Sequence, residues 1–383
     1  GSRTALDPWG EVTENELTAI CTTKKISDEL RGYQEPYEAT VLGYEDDSQA
    51  VMNLVDTVST EGFKLSRQFY QLKAKYHGVP QLHYAQKYDS IGTDAKIPFK
   101  DAVEICRDVF YGLKPAYGEI FDRMLTNGQI DVYPRAGKRG GAFMSAAINC
   151  PTQVLLNHTD TMQSLETLAH EMGHAIHSER TKCQTPIYQD YSTTAAETAS
   201  TLFENLLFDA VYAQATPDLQ TVLMHDRLTR DISTVQRQIA FFNFELEMHR
   251  QIRTQGAMTH RELKKLMQKH LKAYLGPGVE VTELDGASYV YVSHFRYGFY
   301  VYTYAYGLLM STLMAKRYRE DPNYIEVIDR FLCSGESASV ADLYHAAGFD
   351  VIQPDFFSQT LQTFRDDLRE FRAHTRLVNN GSN

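Results

Sequence analysis

The sequence predicts a mainly α-helical protein with one small β-sheet placed directly ahead of a histidine-rich helix. Three observations predict it. Apolar residues recur at helical spacing through most of the 383 residues, Gly, Pro and Asn punctuate the gaps, and only a region from about 129 to 158 has the turns and short apolar runs of strands. The apolar share of 43% is ordinary for a globular chain, and no repeat, low-complexity run or linker divides it, so residues 1–383 are expected to form one continuous unit.

In chain order, helical periodicity covers about 48–76, ended by Gly78-Val-Pro80, and 100–126, ended by Asn127-Gly128; these belong to a helical wall over 30–128. The sheet region, 129–158, contains Ile130-Asp-Val-Tyr133, Gly141 to Ile148 and Gln153 to Asn157, separated by Pro134, Gly137, Gly140 and Pro151. Helices at 161–179 and 192–214 fill the segment 159–215. From 216 to 383 the pattern is helical again: 217–254 after Thr216-Pro217, 259–274 before Gly276-Pro-Gly278, 289–319, 322–333 after Asp321-Pro322, and 353–376.

Charge narrows the partners. With 38 Lys+Arg against 49 Asp+Glu the chain carries −11, so neither nucleic acid nor an anionic membrane is expected to bind it. Cys21, Cys106, Cys150, Cys183 and Cys333 are odd in number and lack a C-x-x-C pair, which argues against a disulfide framework and a thiolate metal site and fits a reducing, cytoplasmic setting. Tyr297 to Ala315 carries no charge, yet Tyr297, Tyr300, Tyr302, Tyr304 and Tyr306 would lack hydroxyl partners in hydrocarbon, so a buried helix is expected instead of a membrane span. Gly1-Ser2 reads as a cloning scar, and the residues after it lack a signal peptide's apolar core.

The most informative stretch, Leu165 to His177, contains His170-Glu171-Met172-Gly173-His174, an H-E-x-x-H pattern within a helical period. Residues i and i+4 share a helix face about 6 Å apart, so His170 and His174 can both reach one Zn²⁺ at roughly 2.0 to 2.1 Å. Glu171, offset by one position, can address water at that ion. A catalytic zinc takes a third protein ligand and keeps a fourth position open. The next helix offers Glu197 and Glu204, seven residues apart on one face and set among small and apolar residues that leave either acid poorly solvated without a partner. One can be the ligand and the other the acceptor that holds a histidine N–H; a surface pair with Lys or Arg is the alternative for Glu204.

Around these residues the chain resembles a known family. Thr167 to Ser178, followed by Ala196 to Asn205, is similar to the active-site signature of the thimet oligopeptidase family, especially its bacterial oligoendopeptidase F branch. Asp131-Val-Tyr-Pro134 with Gly137 to Ala142 upstream, and Ser293 to Gly307 downstream, match in order and spacing, and the resemblance covers roughly residues 30 to 375. It implies a zincin-type helical metallopeptidase core, one Zn²⁺ on His170, His174 and Glu197, and Glu171 as general base and then general acid. It also implies that a histidine and tyrosines of a later segment stabilise the oxyanion, which maps onto His294 and the tyrosine-rich stretch. On one helix Tyr297, Tyr300 and Tyr304 share a face, and a shift of one residue relative to the thimet branch puts Tyr300 and Tyr304 at the expected positions.

The implied substrates are short, unstructured peptides. The strand pair around Gly140 to Asn157 is expected to grip their backbone by strand addition, and Gly276 to Gly286 to form a hinged loop over the site. Full-length members carry an N-terminal helical region that walls a deep channel; this chain is expected to begin after it, with an open site and apolar surface available to that region or to self-association. Two other readings compete. One is an exopeptidase that grips a peptide terminus through Arg135, Lys138, Arg139 or Arg296; the other is an inactive metal-binding scaffold, which would have no use for Glu171.

Overall fold

The computed structural model describes residues 6–92 and 95–380, so Gly1-Ser2 lie outside the described residues. The chain opens with α1 (Gly10–Arg31), α2 (Glu38–Gly43), α3 (Ser48–Thr57) and α4 (Phe63–Tyr76), followed by β1 (Leu82–His83). Next come α5 (Phe99–Leu113), α6 (Pro115–Thr126), β2 (Ile130–Asp131), β3 (Phe143–Ser145), β4 (Gln153–Leu155), α7 (Met162–Thr181) and α8 (Thr193–Gln214). The rest is α9 (Pro217–Thr234), α10 (Gln236–Gln255), α11 (His260–Leu275), β5 (Val279–Glu280), α12 (Glu283–Gly286), α13 (Tyr302–Glu320), α14 (Ile325–Ser334), α15 (Val340–Ala346) and α16 (Phe356–Asn380).

Local chemistry sets most boundaries. Thr161 caps α7 by accepting from the Ser164 N–H, and Ser192 caps α8 by accepting from Ala195. The predicted 100–126 helix divides at Lys114, which is extended (φ −159, ψ 131) because it precedes Pro115. The 217–254 helix likewise divides, at Val235. Helix α1 went unread in the sequence because its buried positions, Gly10, Thr13, Leu17, Cys21 and Asp28, form a narrow stripe with only two large apolar members.

The predicted 289–319 helix needs correction. Ser293–Arg296 is a single 3-10 turn, Gly298 and Phe299 have φ of 69° and 59°, and regular helix begins only at Tyr302. Tyr297 and Tyr300 therefore precede the helix, and helical periodicity does not relate them to Tyr304. Among the described residues no helix is long and apolar enough to cross a membrane.

The chain forms two compact units, 1–90, 224–306 and 352–383 in the first, and 91–223 and 307–351 in the second. In the first, α10 packs on α1 and α11, α11 on α4, and α16 on α3 and α4. Phe69, Tyr70 and Phe371 fill part of its core, and β1 pairs in parallel with β5. That pairing pins the Gly276 to Gly286 stretch. Gly278 lies so near the α4 backbone that a Cβ would stand 2.6 Å from Tyr70 C, and one at Gly286 would stand 2.1 Å from Lys264 O. These glycines serve close backbone approach.

In the second unit, the sheet has the order β2-β4-β3, with β2 parallel to β4 and β3 antiparallel to it. Helix α7 touches β3 and β4 on one side and packs against α5, α6, α8 and α14 on others. Phe110, Tyr117, Phe121 and Phe203 form a fully buried edge-to-face cluster beneath it. Contact between α7 and α8 is close because position 173 has no side chain: a Cβ there would be 2.7 Å from Ser200 Cα.

Candidate metal centre

The second unit brings His170, His174 and Glu197 together. One ligand atom from each lies within 4.8 Å of the others, which matches the reach of one small cation. The four-residue spacing on α7 puts the two imidazoles side by side, ring centroids 4.9 Å apart and planes at 84°. Glu197 arrives from the first turns of α8. Seven residues on, Glu204 Oε2 is 3.2 Å from His170 Nδ1, which leaves Nε2 free to ligate.

Electrostatics fit the same use. Burial lowers His174 far below the ordinary imidazole range and raises both Glu197 and Glu171. Burial also works against a charged His170, but the Glu204 carboxylate on Nδ1, helped by Glu197 and Glu171, outweighs it and brings the group to about 9. Desolvated carboxyls around two imidazoles form a donor set that a divalent cation would complete. Glu171 is buried on α7, with a backbone bond from Met144 on β3, and its Oε2 has no protein partner. Its free oxygen can therefore handle a proton.

His177, three residues past His174, is not a ligand. It is fully buried and stacked on Tyr191 at 3.9 Å, and burial takes it down to about 3. Its role is packing. The C-terminal end of α7 is held by Asp329 of α14, which accepts from Arg180 at 2.8 and 2.9 Å and from the Tyr117 hydroxyl at 3.1 Å. Sequence reasoning missed Asp329. Its signal was a lone acid at an apolar-period position beside Ile328, Phe331 and Leu332. Also missed was Gly307, where a Cβ would lie 2.7 Å from Glu197 Cβ.

In the first unit, His294 stacks on Tyr300, centroids 5.3 Å apart at 17°, and lies 6.1 Å from Tyr304. Burial, with Arg237 nearby, lowers His294, so its ring is neutral, and its Nδ1 has no partner. Burial and a bond with Tyr304 raise Tyr300 above the usual phenol range. Tyr297 is 70% exposed and meets Tyr300 edge-on at 6.1 Å. Three of the candidate cations for gripping a peptide terminus are already engaged. Arg135 and Lys138 bind Asp131, and Arg296 binds Glu16 and the carbonyls of Tyr289, Val290 and Val292.

The family model of Peptidase family M3 matches residues 11–363. The chain belongs to peptidase family M3. Oligopeptidase PepF of Bacillus subtilis is 27% identical to this M3 chain over 371 residues, covering 94% of it and 55% of the relative. An oligoendopeptidase F homolog of Borreliella burgdorferi is 28% identical over 355 residues, 89% of this chain and 59% of the relative. The M3 chain thus spans somewhat over half the length of these curated relatives. Among solved structures, oligoendopeptidase-F from Enterococcus faecium shares its fold with a TM-score of 0.76 at 22% identity, covering 98% of this chain and 62% of that one. PZ peptidase A gives 0.79 at 16% identity, over 96% and 67%.

Proposed function

We propose that this M3 chain carries the catalytic machinery of a zinc-dependent endopeptidase that hydrolyses short, unstructured peptides. The observation that carries the reading is the triangle of His170, His174 and Glu197 with Glu204 behind it and Glu171 beside it. Zinc bound there would polarise the scissile carbonyl and acidify water. Glu171 takes a proton from the attacking water and returns it to the amine nitrogen as the C–N bond breaks. No covalent enzyme intermediate is needed.

His294, Tyr300 and Tyr304 are assigned by motif correspondence to stabilise the oxyanion. Neutral donors suit that task because they meet developing charge without binding the metal themselves. The lowered His294 and raised Tyr300 support a neutral imidazole and a neutral phenol. Tyr297, the most exposed of the set, is assigned to substrate contact. Strand β3 lies at an edge of its sheet and touches α7, which supports backbone recognition by strand addition with loose side-chain preference. The engagement of Arg135, Lys138 and Arg296 favours internal cleavage over removal of terminal residues.

The test uses an end-blocked, internally quenched peptide, with mass spectrometry of the products. Internal cleavage that o-phenanthroline abolishes and zinc restores is expected. Glu171→Gln should lower kcat by about 10² to 10⁴-fold with bound metal unchanged. Cleavage that ignores the chelator, or survives in Glu171→Gln, would overturn the proposal.

A further inference from the structure

Within the first unit, the chain between His294 and Tyr300 doubles back through two left-handed residues, Gly298 at φ 69° and Phe299 at φ 59°. Glycine occupies that region freely, whereas phenylalanine does so only when its surroundings impose it. The surroundings here are specific. Phe299 is fully buried, 5.0 Å from His249 and 5.4 Å from Phe242, with Tyr37 edge-on at 6.4 Å. The Thr40 hydroxyl donates to the Gly298 carbonyl at 3.0 Å, and Glu245 Oε1 accepts from the Phe299 N–H at 3.1 Å.

Glu245 is an unusual residue to find there. It is fully buried on α10, its Oε2 has no partner, and burial lifts it to about 8 against the opposing pull of the Phe299 N–H and Lys24. Its i+4 neighbour His249 is also buried, with neither ring nitrogen bonded, and Cys21 of α1 lies near enough to feel its charge. Burying an acid in apolar surroundings is costly, and a leucine would fill the space more cheaply. What leucine cannot do is accept the Phe299 N–H, which would then be buried without a partner in a turn already disfavoured.

We infer that Glu245 is a positioning residue that locks the Gly298–Phe299 turn and thereby sets Tyr300 against His294. The inference rests on the oxyanion role proposed above for those two residues. Glu245 touches neither of the reacting groups; it acts through the backbone one residue before Tyr300. A misplacement of about 1 Å in such a group can cost about 10²-fold in rate, so one buried hydrogen bond has leverage on turnover.

The experiment compares Glu245→Gln, Glu245→Leu, Tyr300→Phe and the Glu245→Leu/Tyr300→Phe double variant in the whole chain. Steady-state kinetics on the quenched peptide, bound metal and hydrogen exchange at residues 297–301 are measured for each. Gln keeps the acceptor, so kcat within about two-fold of the parent is expected. Leu should lower kcat at least about ten-fold with KM and bound metal little changed, and should speed exchange at Phe299 by a similar factor. The double variant should lose little more than Tyr300→Phe alone, because both act on one group.

Equal losses in Gln and Leu, additive losses in the double variant, or loss of thermal stability with kcat intact would overturn the inference. If Tyr300→Phe lowers kcat and Glu245→Leu does not, Glu245 positions nothing and the oxyanion reading survives. If Tyr300→Phe leaves kcat intact, that reading fails and takes this inference with it. Should Glu245→Leu not fold, Glu245→Asp replaces it. Asp withdraws the oxygen by one methylene and is expected to lower kcat where Gln does not.

Discussion

Glu204 and Gly307 show how single residues hold His170 and Glu197, the candidate metal ligands, from behind. Bonded at 3.2 Å, Glu204 selects the His170 tautomer that presents Nε2 and makes that nitrogen a better donor. At the proposed zinc site, Glu204→Ala should weaken metal binding by about 10 to 100-fold in competition with a chromogenic chelator, and unchanged affinity would refute the role. A methyl group at 307 would press on Glu197, so Gly307→Ala should cost about 1 to 3 kcal/mol in urea unfolding and weaken metal binding as well. That His170 and His174, and Glu197 and Glu204, come together in pairs was readable in the sequence, since spacings of four and seven on a helix give shared faces; which of the two acids faces a metal came only from the family resemblance. Gly307 was not readable. The demand on it comes from a helix more than a hundred residues upstream, which no local pattern reports.

At the scale of elements, helical stretches were legible wherever a broad apolar face met the core, as in α5, α11 and α14. Residues 289–301 were misread because apolar periodicity does not record the sign of φ, and Phe299 gives no hint of a left-handed backbone. Its acceptor, Glu245, stands 54 residues away. The junction of α7 with α14 depends on a long-range acid in the same way. Asp329→Ala strips the acceptor from Arg180 and Tyr117 and leaves Lys114 without one of its two carboxylates. Because Arg180 is partly exposed, a loss of about 2 to 3 kcal/mol is expected by chemical denaturation, and a change below about 0.5 kcal/mol would contradict this account.

For the molecule as a whole, buried ionisable groups make stability depend on pH. His177 and His249 are each held near 3 when folded, against 6.5 in the unfolded chain. Between those values the unfolded chain binds protons that the folded one refuses, so stability falls as pH drops, by about 1.4 kcal/mol per unit for each histidine. Glu245, raised from 4.5 to about 8, acts with the opposite sign between those two values and offsets one histidine over pH 4.5 to 6.5. These three groups together contribute a net loss of about 1 kcal/mol between pH 6.5 and 5.5; in His249→Phe the stability to urea should fall less over that interval than in the parent, and an unchanged slope would mean His249 titrates normally. If the proposed zinc is bound, a chelator should lower the melting temperature, since a cation bound only by the folded state stabilises it by mass action.

Helix α8 is met by bare backbone at two points, Gly173 of α7 against Ser200 and Gly307 against Glu197. A side chain at either glycine would push α8 away, so this close main-chain packing brings the Glu197 carboxylate toward the two imidazoles. Calcium takes six to eight oxygens at about 2.3 to 2.6 Å, whereas the proposed site offers two nitrogens and one carboxylate. At the proposed zinc site, the two missing methyl groups would thereby favour a small cation with nitrogen ligands over calcium.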